Sequence, residues 1–76
     1  SAVSDAEAAS MRSRALAAAK KRLGDKKLEV LRRQVAESVE AQYEQLNFRP
    51  PSAAIEQHVE AELEDRLLAE TSMLPE

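Results

Sequence analysis

Between the chain's single glycine, Gly24, and the proline pair Pro50-Pro51, the residues Leu28, Leu31, Val35, Val39, Tyr43 and Leu46 recur at spacings of 3, 4, 4, 4 and 3. Steps of three and four return side chains to one side of an α-helix, whereas a half-buried strand needs every second residue. The stripe predicts a helix from Lys26 to about Leu46 with one apolar face that must be covered. Its boundaries are equally informative. Gly24 predicts a left-handed residue past the end of a preceding helix, with Asp25 capping the next. Pro50 and Pro51 have no amide to donate, and Pro50 drives Arg49 out of the helical region, so NFRPPS breaks the chain again.

A further helix restarts near Ser52 and carries Ile55, Val59, Leu63 and Leu67 at i+4 intervals. The short connection between two amphipathic helices predicts an antiparallel hairpin. Upstream, Ser4-Asp5-Ala6-Glu7 fits a capping box, with the Ser4 hydroxyl taking the Glu7 amide and the Glu7 carboxylate reaching back to the Ser4 amide. A helix from about Asp5 to Leu23 follows. Its face of Ala6, Ala9, Met11, Leu16, Ala19 and Leu23 offers little area to bury. It either docks as a third member of the bundle or stays a mobile arm, docking being the favoured expectation.

One glycine, three prolines and a dominance of Ala, Leu, Glu, Lys, Arg and Gln complete an all-α prediction. The expected architecture is a small helical bundle of two or three helices in one domain. Residues 1–24 form the alanine-rich basic N-terminal helix, 25–70 the hairpin core and 71–76 a flexible tail. Leu67, Leu68, Met73 and Leu74 near the C-terminus form a further candidate contact point. With 76 residues and no cysteine, neither disulfides nor thiolate-bound metal can supplement a core worth about 3–5 kcal/mol, so a homodimer is expected. No apolar run approaches the roughly 18 residues of a membrane span. An intracellular setting, cytoplasmic or nuclear, is the expectation, as is excerpting from a longer protein, since the chain begins at Ser1.

The net charge of −3 hides an asymmetry. Residues 12–33 carry Arg12, Arg14, Lys20, Lys21, Arg22, Lys26, Lys27, Arg32 and Arg33 against Asp25 and Glu29, a balance of +7. Residues 51–76 reach −6, with Glu56, Glu60 and Glu64 along one helix face. Either the acidic helix folds back on the basic segment and guides pairing, or the basic segment contacts phosphates. Lys20, Lys21 and Arg22 suit the negative end of a helix dipole, but Lys26 and Lys27 occupy the first turn of the next helix, where cations are disfavoured. Candidate anion contacts are therefore Lys20, Lys21, Lys26, Lys27, Arg32 and Arg33, with Lys26 and Lys27 foremost. The pI near 5.2, the lack of tryptophan and the lack of aromatics in the basic stretch argue against stacking on single strands, and an acidic third helix argues against major-groove reading.

Catalytic chemistry has little to stand on. His58 and Glu62, one helical turn apart, could share a metal but make only two ligands, and no nucleophile with its base or glycine-rich phosphate loop is present. No catalytic residue, cofactor or metal is expected. Arg49-Pro50-Pro51 leading into Ile55, Val59 and Leu63 resembles the proline-marked turn of the helical-hairpin dimerisation modules of cyclic-AMP-dependent kinase regulatory subunits, without their aromatic and leucine-rich second helix. The resemblance implies a hairpin that dimerises.

The sequence thus predicts a non-catalytic protein-interaction or oligomerisation module. Its core and contact residues are Leu28, Leu31, Val35, Val39, Tyr43, Leu46, Phe48, Ile55, Val59, Leu63 and Leu67. The partner is a second copy or another protein, with no membrane involved; nucleic-acid association through residues 12–33 ranks second and an enzyme a distant third.

Overall fold

A computed structural model of the chain describes residues 3–72, with side chains placed up to Glu70. Three α-helices account for nearly all of it: α1 (Asp5–Leu23), α2 (Asp25–Leu46) and α3 (Ser52–Ser72). No strand occurs among the described residues. The expectation for the tail at 71–76, with Met73 and Leu74, lies outside the described side chains, and Leu67, expected beside them as a contact point, is instead buried in the core.

Each helix end has a local cause. At the start of α1 the Ser4 hydroxyl accepts from the Glu7 amide at 3.2 Å. The Glu7 carboxylate, expected to reach the Ser4 amide, instead accepts from the Ser4 hydroxyl at 3.2 Å. Gly24 ends α1 and begins α2 as a one-residue joint: its amide bonds to the Lys20 carbonyl at 3.1 Å and its carbonyl accepts from Leu28 at 3.0 Å. Its φ of 84° is positive, as expected, but its ψ of 160° departs from the left-handed helical region. That combination is open essentially to glycine alone. Asp25, expected as the cap, is instead the first residue of α2, and no side chain caps this N-terminus. The cap position is taken by the glycine, which has no side chain to offer.

The other end of α2 is built differently. Asn47 adopts the left-handed conformation (φ 53°, ψ 41°), its amide bonding to the Glu44 carbonyl at 3.1 Å while the Phe48 amide reaches back to Tyr43 at 3.2 Å. These two bonds are the Schellman pattern, and the ring contact that often accompanies it is present: Tyr43 and Phe48 meet edge to face with centroids 6.5 Å apart. Beyond the prolines, the Pro51 carbonyl accepts from Ala54 and Ile55 and launches α3.

Ala19, Val35, Val39, Ile55, Leu63 and Leu67 form the buried core, with Leu16, Leu23, Leu28, Leu31, Tyr43 and Val59 packed around it. All three helices contribute. α2 packs most extensively on α3, and α1 lies more against α3 than against α2. The extents are 45 × 30 × 19 Å, and the thinnest is less than about two helix diameters. The radius of gyration of 14.7 Å exceeds the roughly 11 Å of a globular chain this long. A layer this thin encloses few side chains completely, which is why the core numbers those six among the described residues.

Candidate interaction surfaces

Three features outside the core could meet a partner: the α2–α3 turn, the charged faces of α3, and the basic joint at Gly24.

At the turn, the Tyr43 hydroxyl lies 2.7 Å from His58 Nδ1, and the two rings meet edge to face at 5.5 Å. The lone histidine is thus tied across the helices to the lone tyrosine. Arg49 folds back on α2, its Nη1 and Nη2 donating to the two oxygens of Glu40 at 2.8 and 3.3 Å. The hydrogen bond from Arg49, aided by its positive charge, holds the Glu40 carboxyl below its ordinary range against the opposing effect of burial. Around these groups lies a cavity of about 350 Å³ lined by Glu40, Tyr43, Glu44, Asn47, Phe48 and Arg49.

Leu46 and Phe48, expected among the core and contact residues, sit at this turn 70% and 59% exposed. Leu46 continues the apolar stripe in phase, but it is the last residue of α2, and α3 buries its first side chain only at Ile55. The stripe outruns the helix that covers it. Val35, Val39 and Leu63 are fully buried, so the middle of the stripe is already satisfied within one chain.

The acidic face of α3 is partly neutralised from within. Arg32 pairs with Glu60, and Arg12 spans Glu64 at 3.3 Å and Asp65 at 3.6 Å. All of these groups keep substantial solvent exposure, so each pair contributes only about 0–1 kcal/mol. Their value is in register: Arg12 on α1 and Arg32 on α2 both address the middle of α3. A second cavity, of about 430 Å³, runs between α2 and α3 beside Arg32, Ala36, Glu40, Ile55, Val59 and Glu60.

Of the candidate anion contacts, Arg32 is committed to Glu60. Lys21, Lys26, Lys27 and Arg33 are exposed, Lys20 is half-buried, and none of the five makes an ion pair among the described residues. Lys20 and Lys21 end α1 while Lys26 and Lys27 begin α2, so the joint gathers them at one corner.

His58 and Glu62 do not assemble a shared site: His58 Nδ1 faces Tyr43, and Glu62 pairs with Arg66 at 3.6 Å. No group of three or more histidine or carboxylate ligands occurs among the described residues. No described helix is long and apolar enough to cross a membrane. The Tyr43–His58 bond and the Arg49–Glu40 fork were missed in the sequence. Only the Tyr43–Phe48 spacing around Asn47 carried a readable signal, that of the Schellman contact. No protein-family model, curated protein or solved structure matches the chain.

Proposed function

We propose that this chain is a non-catalytic interaction module that associates with a second copy of itself, with α2 and α3 acting as an antiparallel hairpin whose turn end is the contact. The observation that carries the reading is the exposure of Leu46 and Phe48 two residues apart at that end. Large apolar side chains gathered beside an aromatic cluster are typical of association surfaces, and aromatic residues are frequent hot spots there. The hairpin reading is supported by the order of cross-helix pairs: Tyr43, late in α2, meets His58, whereas Arg32, earlier in α2, reaches on to Glu60. The Schellman turn and the Arg49 fork hold Phe48 in place before any partner arrives, which lowers the ordering cost of association.

The test is sedimentation equilibrium of the parent chain and of Leu46→Asp and Phe48→Asp. The variants are expected to keep their helical circular dichroism and lose association. Undiminished association by both would refute this contact.

A second reading has its own observation, the exposure of Lys21, Lys26, Lys27 and Arg33 without ion-pair partners among the described residues. Duplex nucleic acid bound there would show an affinity falling with salt, with a log–log slope of about −0.9 per phosphate neutralised. Absence of binding to duplex DNA or RNA at low salt rules it out.

A further inference from the structure

The two connections of this chain are of opposite construction. The α2–α3 turn is held four ways: by the Schellman bonds, the Tyr43–Phe48 contact, the Arg49–Glu40 fork and the Tyr43–His58 bond. The α1–α2 joint is one glycine. The helical hydrogen-bond ladder even runs through it, since the Gly24 amide bonds to Lys20 and its carbonyl takes Leu28, each four residues away. What the bend interrupts are the amides of Asp25, Lys26 and Lys27, the first turn of α2, which no side chain caps.

We propose that α1 is exchanged between two copies of this chain, Gly24 serving as the hinge at which α1 and α2 straighten into one helix. Straightening gives those three amides carbonyl partners four residues back. It also removes the anomaly of Lys26 and Lys27, which then lie mid-helix and no longer at the positive end of a dipole. The continuous helix, residues 5–46, would be about 63 Å long. What α1 gives up by leaving is mainly its contact with α3 of its own chain, since it packs less against α2. It recovers the same contact on α3 of the second copy, including Arg12 against Glu64 and Asp65. Exchange of an identical element is a low-cost route to a dimer because the closed and exchanged forms share their interfaces.

This inference rests on the self-association reading but not on its contact at Leu46 and Phe48, so the failure of that contact and the failure of the exchange are told apart. The decisive experiment mixes two charge-reversed chains, Arg12→Glu and the double variant Glu64→Arg/Asp65→Arg, refolded together and separately. Within one chain, each reversal sets like charges against each other. In an exchanged heterodimer both contacts become complementary: the introduced glutamate of the first chain meets the two introduced arginines of the second, and Arg12 of the second meets Glu64 and Asp65 of the first. Native mass spectrometry separates the species by mass. Co-refolding is expected to favour the heterodimer about tenfold over either homodimer, from the ion pairs recovered and the like-charge contacts relieved at both contacts together. Statistical mixing, or chains that remain as they were alone, overturns the exchange whatever Leu46 and Phe48 do. Gly24→Ala gives an independent reading, because alanine favours the straight helix and resists the bend. It is expected to tighten the dimer about tenfold or more and raise helical circular dichroism. A folded Gly24→Ala chain no more dimeric than the parent overturns the hinge.

Discussion

Leu46 and Leu63 are the same residue type, each in phase with its own helix's apolar stripe, yet they differ most in what truncation to alanine should do. Leu63 is fully buried, so Leu63→Ala loses the whole side-chain transfer energy and leaves a void, together about 2–5 kcal/mol. Against a total of about 3–5 kcal/mol for a core this small, that removes most of the stability. Leu46 is 70% exposed and hides only the remainder, so Leu46→Ala should lose roughly 0.5–0.9 kcal/mol, partly offset by alanine's helix preference. Urea denaturation followed by circular dichroism, at several protein concentrations, reads both. The expected result is a large fall in midpoint for Leu63→Ala and a small one for Leu46→Ala at low concentration. An equally large loss for Leu46→Ala, independent of concentration, would show that Leu46 belongs to the core of the single chain and sink the overhang argument. A loss that grows with concentration would mean that a second copy covers it.

Other groups give sharper local tests. Tyr43→Phe removes the hydroxyl bonded to His58 and should lower stability by about 0.5–1.5 kcal/mol, measured by thermal melting; no change would mean the bond adds nothing over water. Asn47→Gly should be close to neutral, whereas Asn47→Val should cost about 1–2 kcal/mol, because a β-branched residue resists φ of 53°. Equal effects of the two would refute the left-handed cap. Glu40 should titrate below its ordinary value of 4.5, since Arg49 favours its charged form. The fork's contribution is therefore present above that value and lost as pH falls through the lower folded value. Carbon-detected NMR of the Glu40 carboxyl should show this, and Arg49→Ala should move the midpoint up.

The parts of this fold that the sequence made legible are those decided within a few residues. Ser4 and Glu7 announce the start of α1, Gly24 its end, and the prolines the break before α3, because capping, φ restriction and missing amides act locally. The middle of the α2 stripe was legible too, since a 3,4 repeat places Val35 and Val39 on one face wherever the partner helix lies. Leu46 was not, because its burial depends on where α3 begins relative to the end of α2, and periodicity carries phase but no endpoint.

Gly24 shows a second limit. A positive φ was readable from glycine itself, but ψ of 160° depends on how α1 must turn to lie on α3. The charge pattern was half legible in the same sense. Opposite charge on the two ends of the sequence foretold some pairing, and Arg12 and Arg32 do reach α3. Which cations would be used depended on the side each helix presents after docking, so Lys26 and Lys27, on the first turn of α2, were left over. Their being left over is informative: a residue pair disfavoured by the helix dipole and unused by the acidic helix has a reason to persist if the bend at Gly24 is only one of two states of the joint.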